Sequence, residues 1–274
     1  MKALPFLSCL ARPTIASIAL IRATALELVI LAGHLLLYPT GIPQERRDPD
    51  PPPDSPRLPT EGRAHPPVLL LHGFIDNRSV FVLLGRSLRQ HGWRHVGALN
   101  YSPLTCDIRT AAQLLGQHIE EICERTGHRR LDVVGHSLGG LIARYYVQRL
   151  GGDARVRTLV TLGTPHSGTR VAPLLSGHPL VRQMRPDSEV IAELTQPAPN
   201  CRTYFVSFWS DLDQLMVPVE TARLDHPDLN TRNELVSGVG HLALPVSGAV
   251  AARIRRILAD EGAQAAASDP ASVA

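Results

Sequence analysis

The sequence predicts an α/β fold with a mostly parallel central sheet and helices on both faces, on three observations. Short apolar runs alternate with helix-length patterns over residues 65–260. A Gly-His-Ser-Leu-Gly run at 135–139 stands between an apolar strand and an apolar helix. Downstream, acidic residues and a histidine follow the ends of later apolar runs, where a parallel sheet gathers its functional groups.

The chain of 274 residues has room for one large domain with extensions. Residues 1–42 are an apolar segment interrupted by Arg12, Arg22 and Glu27. The longest stretch without Lys, Arg, Asp or Glu, Leu28–Gln44, carries His34, Pro39 and Gly41. It falls short of the roughly 20 apolar residues a spanning helix needs. At about 100° per residue Glu27 and His34 fall about 20° apart, whereas Arg22 lies far from both, which describes no clean amphipathic helix. No small-residue cleavage site follows a compact apolar core. Three readings stand: an uncleaved membrane anchor, an interfacial helix, or a leader packed on the catalytic domain.

Residues 43–64 read as a linker, because the stretch 43–67 holds nine prolines and nine charged residues and has almost nothing to bury. The catalytic domain is expected over 65–262. It opens with a strand at Val68–Leu71, a helix at Ser79–His91, a strand at Val96–Leu99 and a helix over Asp107–Arg125. A strand at Leu131–Val134 and a helix at Leu138–Leu150, ended by Gly151 and Gly152, follow. Next come a strand at Val156–Leu162, a long region to Asn200, and strands at Thr203–Phe208 and Glu234–Val239. A last helix spans Val246–Asp260, and the Ala/Ser-rich tail 263–274 reads as frayed.

Composition excludes several classes. A hydrophobic fraction of 44% with 19% charged residues describes a globular protein with a sizeable core. The net charge of +3 comes from scattered arginines with no aromatic-interleaved basic stripe, so no nucleic-acid partner is expected. The four cysteines (Cys9, Cys106, Cys123, Cys201) have no metal-ligand spacing, and neither metal nor cofactor is expected. Pairing of Cys106 with Cys123, and with it the redox compartment, stays open.

Ser137 is the candidate nucleophile. In a strand–turn–helix elbow the central residue takes a strained backbone that lifts its side chain above the sheet edge. The flanking glycines are needed because a Cβ there would meet the neighbouring strand and helix. A free serine is a weak nucleophile and needs a base beside it. The backbone N–H of Leu138, at the helix start, points where an oxyanion would form. The first strand ends in His72-Gly73, and the N–H of Phe74 is assigned as the second oxyanion donor. For the acid, the segment after Tyr204–Phe208 offers Asp211 and Asp213. Asp213 is preferred because the apolar-then-Val-Pro turn after it would fold the loop back, and Asp211 remains the alternative. His241 is the candidate base, directly after the last strand, with Gly238 and Gly240 letting the chain swing the imidazole over the sheet edge. His226 and His178 lie in polar, proline-containing loops and read as solvated.

These residues resemble the α/β-hydrolase lipases and esterases of bacteria, most closely the small lidless lipases and their actinobacterial relatives. The resemblance runs from about Pro67 to Asp260. It rests on HGF at 72–74, GHSLGG at 135–140, VTLGTPHSGT at 160–169, SDLDQLMVP at 210–218 and GVGHLAL at 238–244. The chain order Ser, Asp, His is that of an α/β-hydrolase. The resemblance implies the α/β-hydrolase fold and hydrolysis of carboxylic esters, often acylglycerols, without a cofactor. It implies a structural role for His166. The oxyanion loop lacks the extra glycines of some esterases, and residues 1–64 lie outside the family's core.

The expected activity is that of a serine lipase or esterase with the triad Ser137, Asp213 and His241. An acyltransferase with the same triad and a short-chain carboxylesterase with no lipid role are the alternatives. Expected partners are an ester or lipid substrate and a membrane surface met through residues 1–42, with the protein a monomer. Localisation is expected to be membrane-associated or secreted, with a cytoplasmic placement left open. The region 166–200 is the one place for a cap. Its apolar residues, including Leu174, Leu175 and Leu180, suit either an acyl-chain wall or the core. So little material for a lid predicts weak interfacial activation.

Overall fold

The computed structural model describes residues 15–41, 65–74, 76–101, 107–171 and 177–267, and of residues 15–20, 23, 40, 41 and 261–267 only the helical backbone. Among the described residues six strands form one parallel sheet: β1 (Val68–Leu71), β2 (Val96–Leu99), β3 (Leu131–His136), β4 (Val156–Leu162), β5 (Tyr204–Trp209) and β6 (Asn230–Leu235), in the spatial order β2-β1-β3-β4-β5-β6. Every pairing is parallel, so each connection is a crossover; those from β1 to β5 carry α-helices, and the one from β5 to β6 a 3₁₀ turn at Val219–Ala222. The reversal of strand order beside β1 puts a crevice at the carboxyl ends of β1 and β3, where open α/β sheets bind ligands.

The strands bury both faces, and their side chains divide between two cores. Leu69 and Leu71 of β1 point to the side covered by α3 (Ile108–Thr126) and α4 (Leu138–Arg149). Val68 and Leu70 point to the side covered by α2 (Val82–Gln90) and α7 (Gly248–Ala267). Each fully buried leucine of this kind contributes about 1.5–3 kcal/mol relative to exposure. The one charged residue of β3, Asp132, is buried because Arg157 grips both its oxygens, at 2.9 and 2.6 Å. Such bidentate pairing is what a buried carboxylate requires.

The expected strands at 68–71, 96–99 and 156–162 are observed with those bounds. The first expected helix divides into a 3₁₀ turn at Arg78–Phe81 and α2, and the last one runs on to Ala267. The expected strand at 234–239 is displaced: β6 is Asn230–Leu235, a polar strand. As an edge strand it pairs, among the described residues, with β5 alone, and one side of its ladder faces away from the sheet, so it needs no apolar run. His241 therefore does not follow the strand directly but comes after the turn 236–240.

Among its described residues the region 166–200 adds two short helices, α5 (Pro179–Gln183) and α6 (Glu189–Thr195). Leu180, Val190, Ile191 and Leu194 are buried in the main core, so these residues pack the domain rather than wall a substrate channel. Leu174 and Leu175, the linker 43–64, Cys9 and Cys106 lie outside the described residues. Cys123 and Cys201 are free thiols.

An N-terminal helix, α1 (Ile15–Gly41), packs on the domain near the 3₁₀ turn at 78–81. Three of its polar residues turn inward, with His34 buried and Thr24 and Glu27 half-buried, while Arg22 is exposed. Its apolar residues turn outward, with Leu36 81%, Val29 68%, Leu35 64% and Leu28 63% exposed. Among the described residues no helix is long and apolar enough to cross a membrane.

Candidate active site

Ser137 is the joint between β3 and α4, with φ 50° and ψ −118°. That left-handed half of backbone space costs a non-glycine residue about 1–3 kcal/mol. Surrounding contacts hold it there. Ser137 N–H donates to the Leu162 carbonyl at 2.9 Å, and Thr164 Oγ1 donates to the Ser137 carbonyl at 2.9 Å. Glycines make the close approach possible: a methyl on Gly135 would stand 2.5 Å from the Gly140 nitrogen, and one on Gly139 would run into the carbonyls of Leu71 and His72. The helix start is thereby pressed against the ends of β1 and β3. Leu138 is the first residue of α4, where an N–H has no acceptor inside the helix.

The loop after β1 passes the elbow closely. The Cβ position of Gly73 is 3.4 Å from Ser137 Cβ and 3.2 Å from His136 Nδ1. The loop is fixed from beneath by His72, whose ring stacks on Tyr101 with centroids 4.3 Å apart. Tyr101 hydroxyl donates to the His72 carbonyl, and His72 Nδ1 donates to the Gly73 carbonyl at 2.8 Å. Burial pushes the His72 pKa down, favouring the neutral ring that stacks. Half-buried Phe74 follows, its ring edge-on to His178 at 4.9 Å.

Asp213 and His241 are brought together from the loops after β5 and β6. His241 Nδ1 donates to Asp213 Oδ2 at 2.8 Å, and both side chains are buried. The other oxygen, Asp213 Oδ1, accepts the N–H groups of Leu215 at 2.9 Å and Met216 at 3.1 Å, which folds the loop back onto its own carboxylate. Gly163, at φ 54° after β4, leaves the space: a methyl there would be 2.9 Å from both Asp213 Oδ2 and His241 Nδ1. Burial opposes a charge on His241, but Asp213, reinforced by Glu27 and Asp76, outweighs it and holds the pKa above the ordinary histidine value. The ring of His136, next to Ser137 in the chain, lies 4.7 Å from that of His241, and its Nε2 donates to the His241 carbonyl at 3.2 Å.

The alternative acid, Asp211, has a different partner. It is exposed, and its Oδ1 accepts the N–H of Gly238 at 3.0 Å, tying the two loops together below the pair. His166 is buried against Thr161 Oγ1 at 2.9 Å and faces the Arg144 guanidinium, and burial pushes its pKa well down. It braces the interior. Among the described residues no cluster of His, Cys, Asp or Glu could hold a metal ion.

A family profile described as the alpha/beta hydrolase fold matches residues 66–185. Among solved structures, the mature lipase BlEst2 of Bacillus licheniformis is similar, at 16% identity over 72% of this chain and 93% of that one, with a TM-score of 0.62. The chain has the α/β-hydrolase fold. The same fold is shared with the lin2722 gene product of Listeria innocua, at 18% identity over 71% of this chain and 94% of that one, with a TM-score of 0.55. A membrane phospholipase A described as a bacterial virulence factor also shares it, at 17% identity over 88% of this chain and 98% of that one, with a TM-score of 0.51.

Sequence reasoning assigned no place at this edge to Asp76 of the β1 loop or to Glu27 and His34 of α1. Asp76, two residues after Phe74, has His34 Nδ1 at 3.3 Å and His136 Nδ1 at 3.6 Å. Burial works to raise the Asp76 carboxyl, but these two imidazoles outweigh it and hold it well below the usual carboxylate range. Glu27 accepts the N–H groups of Leu242 at 2.8 Å and Ala243 at 3.0 Å. The available signal was the shared helix face of Glu27 and His34, two polar residues among leucines.

Proposed function

We propose that the protein is a serine carboxylic-ester hydrolase of the lipase/esterase type, acting through an acyl-enzyme on Ser137. The observation that carries this reading is a serine held at φ 50° at the sheet edge that also holds the buried Asp213–His241 pair. His241 takes the Ser137 proton as the hydroxyl attacks the ester carbonyl, and Asp213 holds the ring in the tautomer with Nδ1–H and stabilises the imidazolium. The N–H groups of Phe74 and Leu138 receive the oxyanion. The imidazolium returns its proton to the leaving alcohol. Water, activated in turn by His241, then releases the acid and restores the serine. No cofactor enters these steps.

The lipase side of the reading draws on the resemblance of the HGF, GHSLGG and GTPHSG stretches to small bacterial lipases, actinobacterial ones included. It also draws on α1, whose outward row of Leu28, Val29, Leu35 and Leu36 suits an ester-lipid surface and a membrane-associated or secreted protein. A panel of para-nitrophenyl esters graded by acyl length tests the reaction, with Ser137→Ala as the control. Full esterase activity in Ser137→Ala would overturn the reading. Flotation with phosphatidylcholine vesicles tests the lipid surface: Leu28→Ser/Leu35→Ser should leave the floating fraction if α1 meets the bilayer, and unchanged flotation would remove that part.

A further inference from the structure

The helix α1 reaches three of the four loops that carry the candidate site. Thr24 Oγ1 accepts from Gln214 Nε2 at 2.8 Å, beside Asp213. His34 faces Asp76, and the Tyr38 carbonyl accepts from Asn77 Nδ2 at 2.8 Å, both just past Phe74. Glu27 takes the two N–H groups immediately after His241. A carboxylate bound to two backbone donors makes charge-assisted bonds, about twice as strong as neutral ones.

Gly240 gives a second and independent observation. It has no positive φ, so the backbone does not require glycine there, in contrast to Gly238 at φ 76°. What a side chain would meet is Glu27: a Cβ on Gly240 would stand 2.5 Å from Glu27 Cδ. The expectation that Gly240 lends swing to the loop is thus corrected. Its missing side chain makes room for a carboxylate delivered by a helix far away in the chain.

We propose that Glu27 is a positioning residue for the general base: seated against Gly240 and bound to the Leu242 and Ala243 N–H groups, it sets the loop that presents His241 to Ser137. The inference rests on the reading of Ser137, Asp213 and His241 as a triad. Rotation of this loop moves the imidazole relative to the serine hydroxyl, and small misplacements of reacting groups cost rate rather than binding. Glu27 also contributes charge. The titratable groups facing His241 are Asp213 on the β5 loop, Glu27 on α1, Asp76 on the β1 loop and His136 at the end of β3. Removing one of the three negative charges lowers the His241 pKa.

The test uses the full chain with para-nitrophenyl butyrate, measuring kcat, KM, the pH profile of kcat/KM and the melting temperature. Glu27→Gln is expected to lower kcat about tenfold with KM within about twofold, and to move the acid limb to lower pH. Glu27→Asp should recover the acid limb and part of kcat. Gly240→Ala should cost as much as Glu27→Gln in the wild-type chain and little in a Glu27→Ala background, where its methyl fills vacated space. Thr24→Val, which breaks another α1 contact, should leave kcat unchanged. If Glu27→Gln lowers the melting temperature but leaves kcat and the acid limb in place, the helix is only a strap and the proposal fails. Equal costs of Gly240→Ala in both backgrounds also overturn it. Ser137→Ala keeps the two readings apart: an inactive Ser137→Ala with a fully active Glu27→Gln removes the positioning role alone.

Discussion

The elbow at Ser137 and the loop at His241 meet at one sheet edge but are held there by different means. The elbow is built from neighbours in sequence and the strands beside it. Gly135 and Gly139 allow β3 and α4 to close on each other, and the Leu162 carbonyl and Thr164 hydroxyl hold the strained serine. The histidine loop has little of its own. Asp213 holds one side of it, Asp211 ties down Gly238, and Glu27 reaches in from α1. The proposed nucleophile, fixed by packing, tolerates almost no change in shape. The proposed base, fixed by hydrogen bonds from two separate segments, the β5 loop and α1, yields more readily to changes of shape but depends on each donor and acceptor.

The largest effects should fall on the three residues of the proposed triad, larger at Ser137 than at Asp213. Ser137→Ala is expected to lower kcat by about 10⁵-fold or more with little change in melting temperature, since members of a triad such as the one proposed act as a unit. Asp213→Asn should cost about 10³–10⁴-fold by leaving His241 in the wrong tautomer. Asp211→Asn keeps an oxygen acceptor for Gly238 and should stay within a few-fold of the wild type. If Asp211→Asn were the more damaging of the two, the acid would be reassigned.

Shape separates the regions next. Gly139→Ala is expected to destabilise the protein by about 3 kcal/mol or more, because its methyl meets the backbone carbonyls of Leu71 and His72, which cannot move aside. Gly240→Ala meets only a flexible carboxylate and should change the melting temperature much less while still lowering kcat. Denaturant unfolding of the two variants side by side measures this. Similar losses of stability would erase the distinction between packing and hydrogen bonding.

The same distinction explains what could be read from the sequence. The elbow and the strands at 68–71, 96–99 and 156–162 were legible because their constraints are local: apolar runs, flanking glycines and a helix start. The polar edge strand Asn230–Leu235 was displaced in the reading because an edge with one free side carries no apolar signature. Residues 1–42 are apolar apart from a few charges, and the shared face of Glu27 and His34 acquires a purpose only from the loops it touches. Asp76 likewise stands beside the HGF stretch in plain view, but its buried partners come from α1 and from the residue before the serine. Contacts between distant segments leave no periodic trace.

The smallest predicted effect concerns pH, and it acts on the histidine loop alone. The His241 pKa is raised because Asp213, with Glu27 and Asp76, outweighs its burial. Catalysis needs the neutral ring, so kcat/KM should climb through a pKa above the ordinary histidine value of about 6.5. Stability runs the opposite way. A group whose folded pKa is raised contributes stability that is fully present below the unfolded value and is lost as pH rises through the folded value. On the proposed function, the protein should therefore gain activity across the interval in which it gives up this part of its stability. Melting temperatures and kcat/KM followed over the same pH steps test the coupling. If Ser137→Ala keeps the stability trend and Asp213→Asn abolishes it, the trend belongs to the Asp213–His241 pair and not to the elbow.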